Sequence, residues 1–329
     1  MSVWAAGRVG CWAFVGALTL GAAGAAESQS SRVYQVGVVH LGGTYQLAVD
    51  GLRAGLKEQG LEEGKRVKLH VRDAKGDVET LKKAARELEA QRVDLIYAVS
   101  TTAATATRQA TERVPIVFYA GADPVALGLV GSFPKPGGRL TGVHGQLNEL
   151  SAKRVELLKA LVPKARRMAV FYRPDNAAAV QSVEAARGAA AQLKVELVER
   201  RVASVDELHK SLQALRPDEA DAILYVGDAL VVSQIDHVIE VARAKRLPAL
   251  FQEQESVAKG ALASYGVSYR AAGQLSAKQV RRILEGAQAG DLPVEQLSQP
   301  YFALNLKTAG ALGLTISPSL LTRADEVIQ

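Results

Sequence analysis

A strand–helix–strand pattern occurs twice in this chain, and it constrains the fold more than any other feature of the sequence. The first copy spans residues 93–124 and the second spans residues 220–256. Each copy places an aspartate, Asp94 or Asp221, before a buried apolar strand, and an Arg–x–Pro tripeptide before the returning strand. Such a unit needs a right-handed crossover onto a parallel sheet. Two distant copies therefore predict two similar α/β lobes, with a cleft for a small molecule at the carboxyl ends of their strands.

The first residues have the pattern of a secretory signal peptide rather than of this fold. Arg8 precedes a short apolar run, which ends in the small residues Ala23, Gly24 and Ala25. The run is too short to span a bilayer, although an uncleaved anchor is the alternative interpretation. We therefore predict that residues 1–25 are a signal peptide, and that cleavage leaves 329 − 25 = 304 residues.

Cysteine usage and charge exclude several classes of function. Cys11 is the only cysteine, so the mature chain is expected to lack disulfides, a cysteine nucleophile and thiolate metal sites. The formal charge of +6 comes from mixed charges along the chain, without a basic block interleaved with aromatic residues. We predict no nucleic-acid partner, no metal, no cofactor and a monomer.

The order of strands and helices predicts two Rossmann-like lobes with parallel sheets, joined by a hinge that the chain crosses several times. The apolar run Val33–Val39 is typical of a central strand covered on both faces. We assign residues 32–142 and about 266–295 to the first lobe. Residues 143–265 and about 300–329 are assigned to the second lobe. Several crossings are expected to make the hinge move as a unit.

Motifs of catalysis are absent from the sequence. It has no phosphate-binding loop, no G-x-G-x-x-G after a strand and no H-E-x-x-H, and its five histidines lack ligand spacing. The sequence therefore does not indicate an enzyme.

Polar residues follow two strands of the first copy of the repeat. Ser100, Thr101 and Thr102 lie where a strand meets its helix, and hydroxyl and N–H groups at a helix start suit a carboxylate. The alternative is that one of them is only an N-cap. Asp123 follows the next strand, where it either pairs with a ligand amine or caps a turn.

Further candidates for ligand contacts stand at other strand ends. They are Thr44, Tyr45, Asn176, Asp228, Gln252 and Glu253. Tyr45 either stacks on a ligand or only packs, and Asn176 is either a contact or a turn residue. Asp228 either meets a ligand amine or caps a helix. Gln252 and Glu253 offer amide and carboxylate groups, or form a solvated loop. The shared placement at strand ends, rather than any single residue, indicates the site.

Four stretches of the sequence resemble a known family. They are Ala122–Val125, Pro136–Val143, Glu255–Gly266 and Asn305–Leu314. Together they are similar to ABC transporter substrate-binding proteins, and the resemblance covers the chain from about Val33 to the C-terminus. It implies a type I periplasmic-binding-protein fold that captures a small solute for a membrane permease and its ATPase. Some relatives bind amino acids and carry Asp-Asn or Asp-Thr after the second-lobe strand, where this chain has Asp228-Ala229.

The resemblance implies a periplasmic solute-binding protein whose partners are a small-molecule ligand and an ABC permease with its ATPase. The alternative is a periplasmic sensor that presents its bound state to a membrane receptor. A transcriptional regulator shares the two-lobed core, but it needs an N-terminal helix-turn-helix where this chain has an apolar segment.

Overall fold

Apolar runs of the first half of the chain form the strands of a first sheet. The structure, a computed structural model, describes residues 32–146, 150–297 and 300–329, so the predicted signal peptide lies outside the described residues. The elements up to residue 144 are β1 (Tyr34–His40), α1 (Gln46–Glu58), β2 (Val67–Asp73), α2 (Val78–Ala90), β3 (Leu95–Val99), α3 (Thr101–Ala110), β4 (Ile116–Ala120) and β5 (Leu140–His144). Every residue of β3, β4 and β5 is buried, as expected for strands covered on both faces.

The same alternation repeats in the second part of the chain. Its elements are α4 (Ser151–Leu161), β6 (Arg167–Tyr172), α5 (Ala177–Gln192), β7 (Glu196–Arg201), α6 (Val205–Ala214), β8 (Ala222–Leu224), α7 (Ala229–Ser233), α8 (Ile235–Ala244), β9 (Ala249–Phe251) and β10 (Ala263–Gly266). The last segment contains α9 (Tyr269–Leu284), β11 (Glu295–Gln296), β12 (Tyr301–Asn305), α10 (Leu306–Leu312), α11 (Pro318–Arg323) and β13 (Glu326–Ile328).

The strands form two sheets, each with helices packed against it. Within the described residues, the first sheet has the order β11-β5-β4-β3-β1-β2 and the second has the order β13-β12-β10-β9-β8-β6-β7. The pairings are parallel except that of β10 with β12. We call each sheet with its helices a lobe. The predicted α/β fold class is thereby confirmed, whereas the residue limits assigned to the lobes stay a prediction.

The chain passes between the sheets at three places in its described order. It leaves the first sheet after β5 and enters the second lobe at α4. It leaves the second sheet after β10 and continues into α9, which packs along α1 in the first lobe. It then returns from β11 in the first sheet to β12 in the second.

The two aspartates of the repeat have the same structural role. An oxygen of Asp94 accepts a hydrogen bond from the backbone N–H of Gln35, at the start of the neighbouring strand β1. Asp221 likewise accepts from the N–H groups of Arg166 and Arg167, at the start of β6. Each aspartate therefore joins the residue before its strand to the start of the adjacent strand.

The repeat differs between the lobes in its helix. The first copy has one helix, α3, whereas the second has a short α7 followed by α8. At the break the hydroxyl of Ser233 donates to the carbonyl oxygen of Leu230 at 2.6 Å. A side chain that bonds a carbonyl of its own helix competes with helix continuation. In the described part of the chain, no helix is both long and apolar enough to cross a membrane.

Candidate functional site

Strand register brings three loops of the first lobe to one edge. His40 of β1 is paired with Val99 of β3, and Val99 is paired with Tyr119 of β4. The residues that follow these strands, including Tyr45, Ser100 and Gly121, therefore emerge together at the carboxyl edge of the sheet. This is the edge at which parallel α/β sheets bind ligands.

Ser100 caps the helix that begins at this edge. Its hydroxyl accepts a hydrogen bond from the N–H of Ala103 at 3.0 Å, and its backbone has a φ of 121°. A positive φ at a non-glycine residue is strained and is often found at functional sites. Thr101 accepts from the N–H groups of Gly121 and Ala122, both at 3.1 Å, which ties α3 to the loop after β4.

The corresponding edge of the second lobe is organised by Asp228. Its buried carboxylate accepts from the N–H groups of Leu230 and Val231 at 2.9 and 3.2 Å, and thereby caps α7. It also accepts from the N–H of Arg173 and from the side-chain amide of Asn176, at 3.2 and 3.0 Å. Burial raises the pKa of Asp228, while these hydrogen bonds oppose the rise. Asp228 therefore holds together the loops that follow β6 and β8.

The two edges face each other across a small cavity, which we call the inner cavity. Its volume is about 30 Å³. Its lining residues are Tyr45, Ser100, Thr101, Thr102, Tyr119, Gly121, Ala122, Asn176, Ala178, Gly227, Ala229, Gln252 and Tyr269. Two lining side chains bury a polar atom without a hydrogen-bond partner, namely the hydroxyl of Tyr119 and Oε1 of Gln252. Unsatisfied buried polar atoms are costly, so these two point to a group that pairs with them.

Three tyrosines from the first lobe surround one side of the inner cavity. The ring of Tyr269 packs edge-to-face with Tyr45, at 5.2 Å between ring centroids, and with Tyr119, at 5.5 Å. Edge-to-face pairs of this kind add to the stabilisation that comes from burial. Burial raises the pKa of all three well above the ordinary value, and the negative charge of Glu253 adds to the rise. The phenols therefore remain protonated and act as neutral hydrogen-bonding groups.

Glu253 lies fully buried behind this cluster. One of its oxygens accepts from the hydroxyl of Tyr269 at 3.1 Å, and that hydroxyl in turn accepts from Nε2 of Gln252 at 3.2 Å. Burial raises the pKa of Glu253 to about 7, against the opposing effects of hydrogen bonds from Gln252 and Tyr269 and of the charge of Arg154. The hydrogen bond from Tyr269 also crosses between the lobes, because Tyr269 begins α9 and Glu253 follows β9.

Arg154, on α4, supplies the positive charge of this buried region. Its side chain is fully buried, and its Nε donates to the carbonyl oxygen of Tyr265 at 2.7 Å. It thereby links α4, the first helix of the second lobe, to β10, the last strand before the chain returns to the first lobe. Burial lowers the pKa of Arg154 to about 10, so the guanidinium stays protonated at neutral pH.

A larger cavity, which we call the outer cleft, adjoins the inner one. Its volume is about 720 Å³, within the range typical of small-molecule sites. It shares the lining residues Thr101, Thr102, Asn176, Ala178 and Ala229 with the inner cavity. Charged side chains of both lobes stand at its wall, among them Lys75, Lys82 and Asp206. The outer cleft therefore extends the inner cavity along the space between the lobes.

The residues that the sequence singled out are distributed around these cavities. Those that line the inner cavity are Tyr45, Ser100, Thr101, Thr102, Asn176 and Gln252. Glu253, Asp228 and Thr44 are buried without lining it, and the hydroxyl of Thr44 has no hydrogen-bond partner. Asp123 lines neither cavity, and its carboxylate caps a turn by accepting from the N–H groups of Val125 and Ala126. Whether each residue contacts a ligand remains a prediction.

Sequence reasoning missed Tyr119, Tyr269 and Arg154. Tyr119 is the penultimate residue of the apolar strand β4, and an amphipathic tyrosine near a strand end is a usable signal. Tyr269 follows Ser268, whose hydroxyl caps α9, and only the crossing between lobes brings it to the cavity. Arg154 sits in a helix with ordinary charge spacing, so no local pattern distinguishes it. Among the residues that the structure describes, no group of three or more His, Cys, Asp or Glu residues is arranged to hold a metal ion.

A family model for "ABC transporter substrate binding protein" matches residues 36–328. The chain therefore belongs to the ABC transporter substrate-binding protein family, whose members are solute-binding proteins rather than enzymes. Its fold is that of the type I periplasmic binding proteins.

Individual relatives are similar over most of the chain. The tyrosine-binding protein of Clostridioides difficile (strain R20291) is 32% identical over 267 residues, which are 81% of this chain and 76% of that protein. A domain from Streptococcus pneumonia, solved in complex with L-Trp, is 27% identical and has a TM-score of 0.81. The ligand-free, open structure of a substrate-binding protein with adhesive properties from Clostridium difficile is also 27% identical, with a TM-score of 0.59. Both alignments cover 90% of this chain and 100% of the other.

Proposed function

We propose that this protein captures an aromatic amino acid, or a closely related solute, between its lobes and delivers it to an ABC importer. The observation that carries the proposal is the convergence of strand-end polar groups from both lobes on one cavity. The start of α3, with Ser100 and Thr102, supplies hydroxyl and N–H groups for a carboxylate. Gln252 supplies a buried oxygen without a partner, which suits an ammonium group.

The relatives support an aromatic amino acid as the ligand. Two proteins with substantial identity to this chain are named for tyrosine binding or were solved with L-Trp. As a whole, this chain superposes better on the L-Trp complex than on the open relative, with TM-scores of 0.81 and 0.59, although identity and coverage are equal. This difference is what we expect if the family closes its lobes around a ligand.

The inner cavity is too small to hold an amino acid by itself. Its volume of about 30 Å³ is far below the roughly 300 Å³ at which small-molecule pockets usually begin. We therefore propose that the carboxylate and ammonium groups of the ligand occupy the inner cavity, while its side chain extends toward the outer cleft. Entry requires the lobes to separate, because residues of both lobes line both cavities.

Location and partners complete the proposal. Residues 1–25 direct export, the mature protein acts in the periplasm as a monomer, and its partner is an ABC permease with its ATPase.

N-terminal sequencing of the protein purified from its source should begin near Ala26. Recovery of chains that begin at Met1 or Ser2 from the cytoplasm would contradict export.

Calorimetric titration of the purified mature protein tests the ligand. L-tyrosine, L-tryptophan and L-phenylalanine should bind with micromolar or tighter affinity, whereas L-lysine and L-glutamate should bind far more weakly. Absence of binding by all three aromatic amino acids would refute the proposed ligand.

A further inference from the structure

Three buried side chains behind the inner cavity form a directed chain of hydrogen bonds. The hydroxyl of Tyr269 donates its one proton to Oε1 of Glu253 at 3.1 Å. The hydroxyl oxygen is therefore available only as an acceptor. It accepts from Nε2 of Gln252 at 3.2 Å. The residues are 1%, 0% and 2% exposed respectively, so water does not substitute for these partners.

This chain of hydrogen bonds determines which end of the Gln252 amide faces the cavity. If the amide were turned over, its oxygen would face a hydroxyl whose proton Glu253 already accepts. Two buried acceptors would then oppose each other, which is unfavourable. The observed orientation leaves Oε1 of Gln252 on the side of the amide away from Tyr269, without a hydrogen-bond partner. Oε1 also lies close to Gly227, another lining residue, since a Cβ added to that glycine would be 3.3 Å from it.

We infer that Glu253 and Tyr269 together fix the Gln252 amide so that the inner cavity presents a carbonyl oxygen that selects ligands carrying an ammonium group. This inference rests on the proposed function, since it requires that the cavity receives the polar end of an amino acid. Glu253 is a positioning residue, because it does not line the inner cavity and acts on the ligand only through Tyr269 and Gln252. An ammonium group donates to Oε1, whereas a ligand that lacks it leaves this oxygen buried and unpaired.

The test compares two probes that differ only in the ammonium group, namely L-tyrosine and 3-(4-hydroxyphenyl)propanoate. Calorimetry should show that the wild-type protein binds L-tyrosine at least roughly tenfold more tightly, since a site built for a donor rejects an analogue that lacks it. In Tyr269→Phe the Gln252 amide loses the hydroxyl oxygen that its Nε2 donates to, so the ratio of the two affinities should fall. Tyr97→Phe is the matched control, because it removes another buried hydroxyl of the same lobe, one that lies 3.4 Å from the hydroxyl of Ser276 and not beside Gln252 or Glu253. It should preserve the ratio.

Glu253→Gln is the second variant, and it tests the direction of the hydrogen bonds without removing the Tyr269 hydroxyl. Its side-chain amide can donate to the oxygen of Tyr269, which releases the hydroxyl proton toward Gln252 and favours the reversed amide. The ratio should again fall toward one.

Two failures are distinguishable. Unchanged ratios in both Tyr269→Phe and Glu253→Gln, with a discriminating wild-type protein, would overturn the inference and leave the proposed function intact. Failure of the wild-type protein to bind L-tyrosine, L-tryptophan or L-phenylalanine would overturn the proposed function and the inference together.

Discussion

At the scale of single residues, the two buried acids beside the inner cavity differ in how fully their oxygens are engaged. Asp228 accepts four hydrogen bonds, from the backbone of Arg173, Leu230 and Val231 and from the side chain of Asn176. Within the described part of the chain, the side-chain partners that hold Glu253 are only Gln252 and Tyr269, and burial raises its pKa to about 7. The first acid therefore organises structure, and the second responds to pH within the physiological range.

Replacing Asp228 with alanine should mainly reduce stability. The change leaves buried donors of two loops unpaired and removes the cap of α7, which costs about 2–3 kcal/mol of unfolding free energy. Affinity for L-tyrosine should change by less than roughly threefold, because these bonds are internal to the lobe. Urea denaturation and calorimetry measure both quantities. Ser204→Ala, which removes an exposed cap of α6, should cost only about 1 kcal/mol. A large loss of affinity with unchanged stability in Asp228→Ala would show a direct ligand contact instead.

Glu253 should make the folded protein less stable as pH rises. Its pKa lies at about 7 in the folded state and near the ordinary value of 4.5 when unfolded, so the folded state retains the proton more tightly. The stability that this group contributes is present below pH 4.5 and is lost as pH rises to about 7, on the order of 3 kcal/mol.

Urea denaturation between pH 5 and 8 checks this dependence. Glu253→Gln should remove most of the decline, whereas Glu87→Gln, an exposed glutamate, should retain it. The groups whose charge or hydroxyl couples to Glu253 are Arg154, Tyr45, Tyr119, Tyr225 and Tyr269. Parallel pH profiles for Glu253→Gln and the wild-type protein would contradict the assignment.

At the scale of elements, the loop after β1 meets α7 of the other lobe through Gly43. A Cβ at this position would lie 2.5 Å from the carbonyl oxygen of Val232 and 2.9 Å from Cα of Ser233. Contact this close between backbones of different lobes exists only when the lobes are together. Glycine at residue 43 therefore permits the closed arrangement.

Gly43→Ala should weaken ligand binding by hindering closure. Steric overlap of this kind costs about 1–3 kcal/mol, which corresponds to roughly a 5- to 150-fold loss of affinity for L-tyrosine by calorimetry. Gly128→Ala is a matched control, because Gly128 has a similar φ of 64° and nothing within 4 Å of an added Cβ. Both variants strain a left-handed residue, but only Gly43→Ala should reduce affinity. Equal affinities in the two variants would mean that this contact does not limit closure.

At the scale of the whole molecule, three crossings connect two similar lobes whose facing edges line both cavities. Because the ligand-binding groups are divided between the two lobes, a ligand that contacts both lobes stabilises the closed state. Small-angle scattering should give a smaller radius of gyration with saturating L-tyrosine than without it, and D-glucose should leave it unchanged. A radius that L-tyrosine does not alter would indicate lobes that stay in one arrangement.

Much of the architecture could be predicted from the sequence alone. Buried parallel strands are continuous apolar runs, and helices show their period and caps, so the order of elements and the two-lobed class follow from local patterns. Asp94 and Asp221 occupy equivalent positions before β3 and β8, because each accepts a hydrogen bond from a backbone N–H at the start of the neighbouring strand. Placement of Tyr45, Ser100, Thr102 and Gln252 at one cavity follows from topology, since parallel strands end at a common edge.

Only the tertiary structure decided which hydrogen-bond partners these groups have. Sequence could not distinguish Asp228 as a cap from Asp228 as a ligand contact, because two of its four donors come from a loop more than fifty residues away. Nor could it place Tyr269 beside Glu253, since that contact forms where the chain crosses between lobes. Local patterns determine strands, helices and their edges, whereas the partners of buried polar atoms depend on long-range packing, which sequence spacing does not encode.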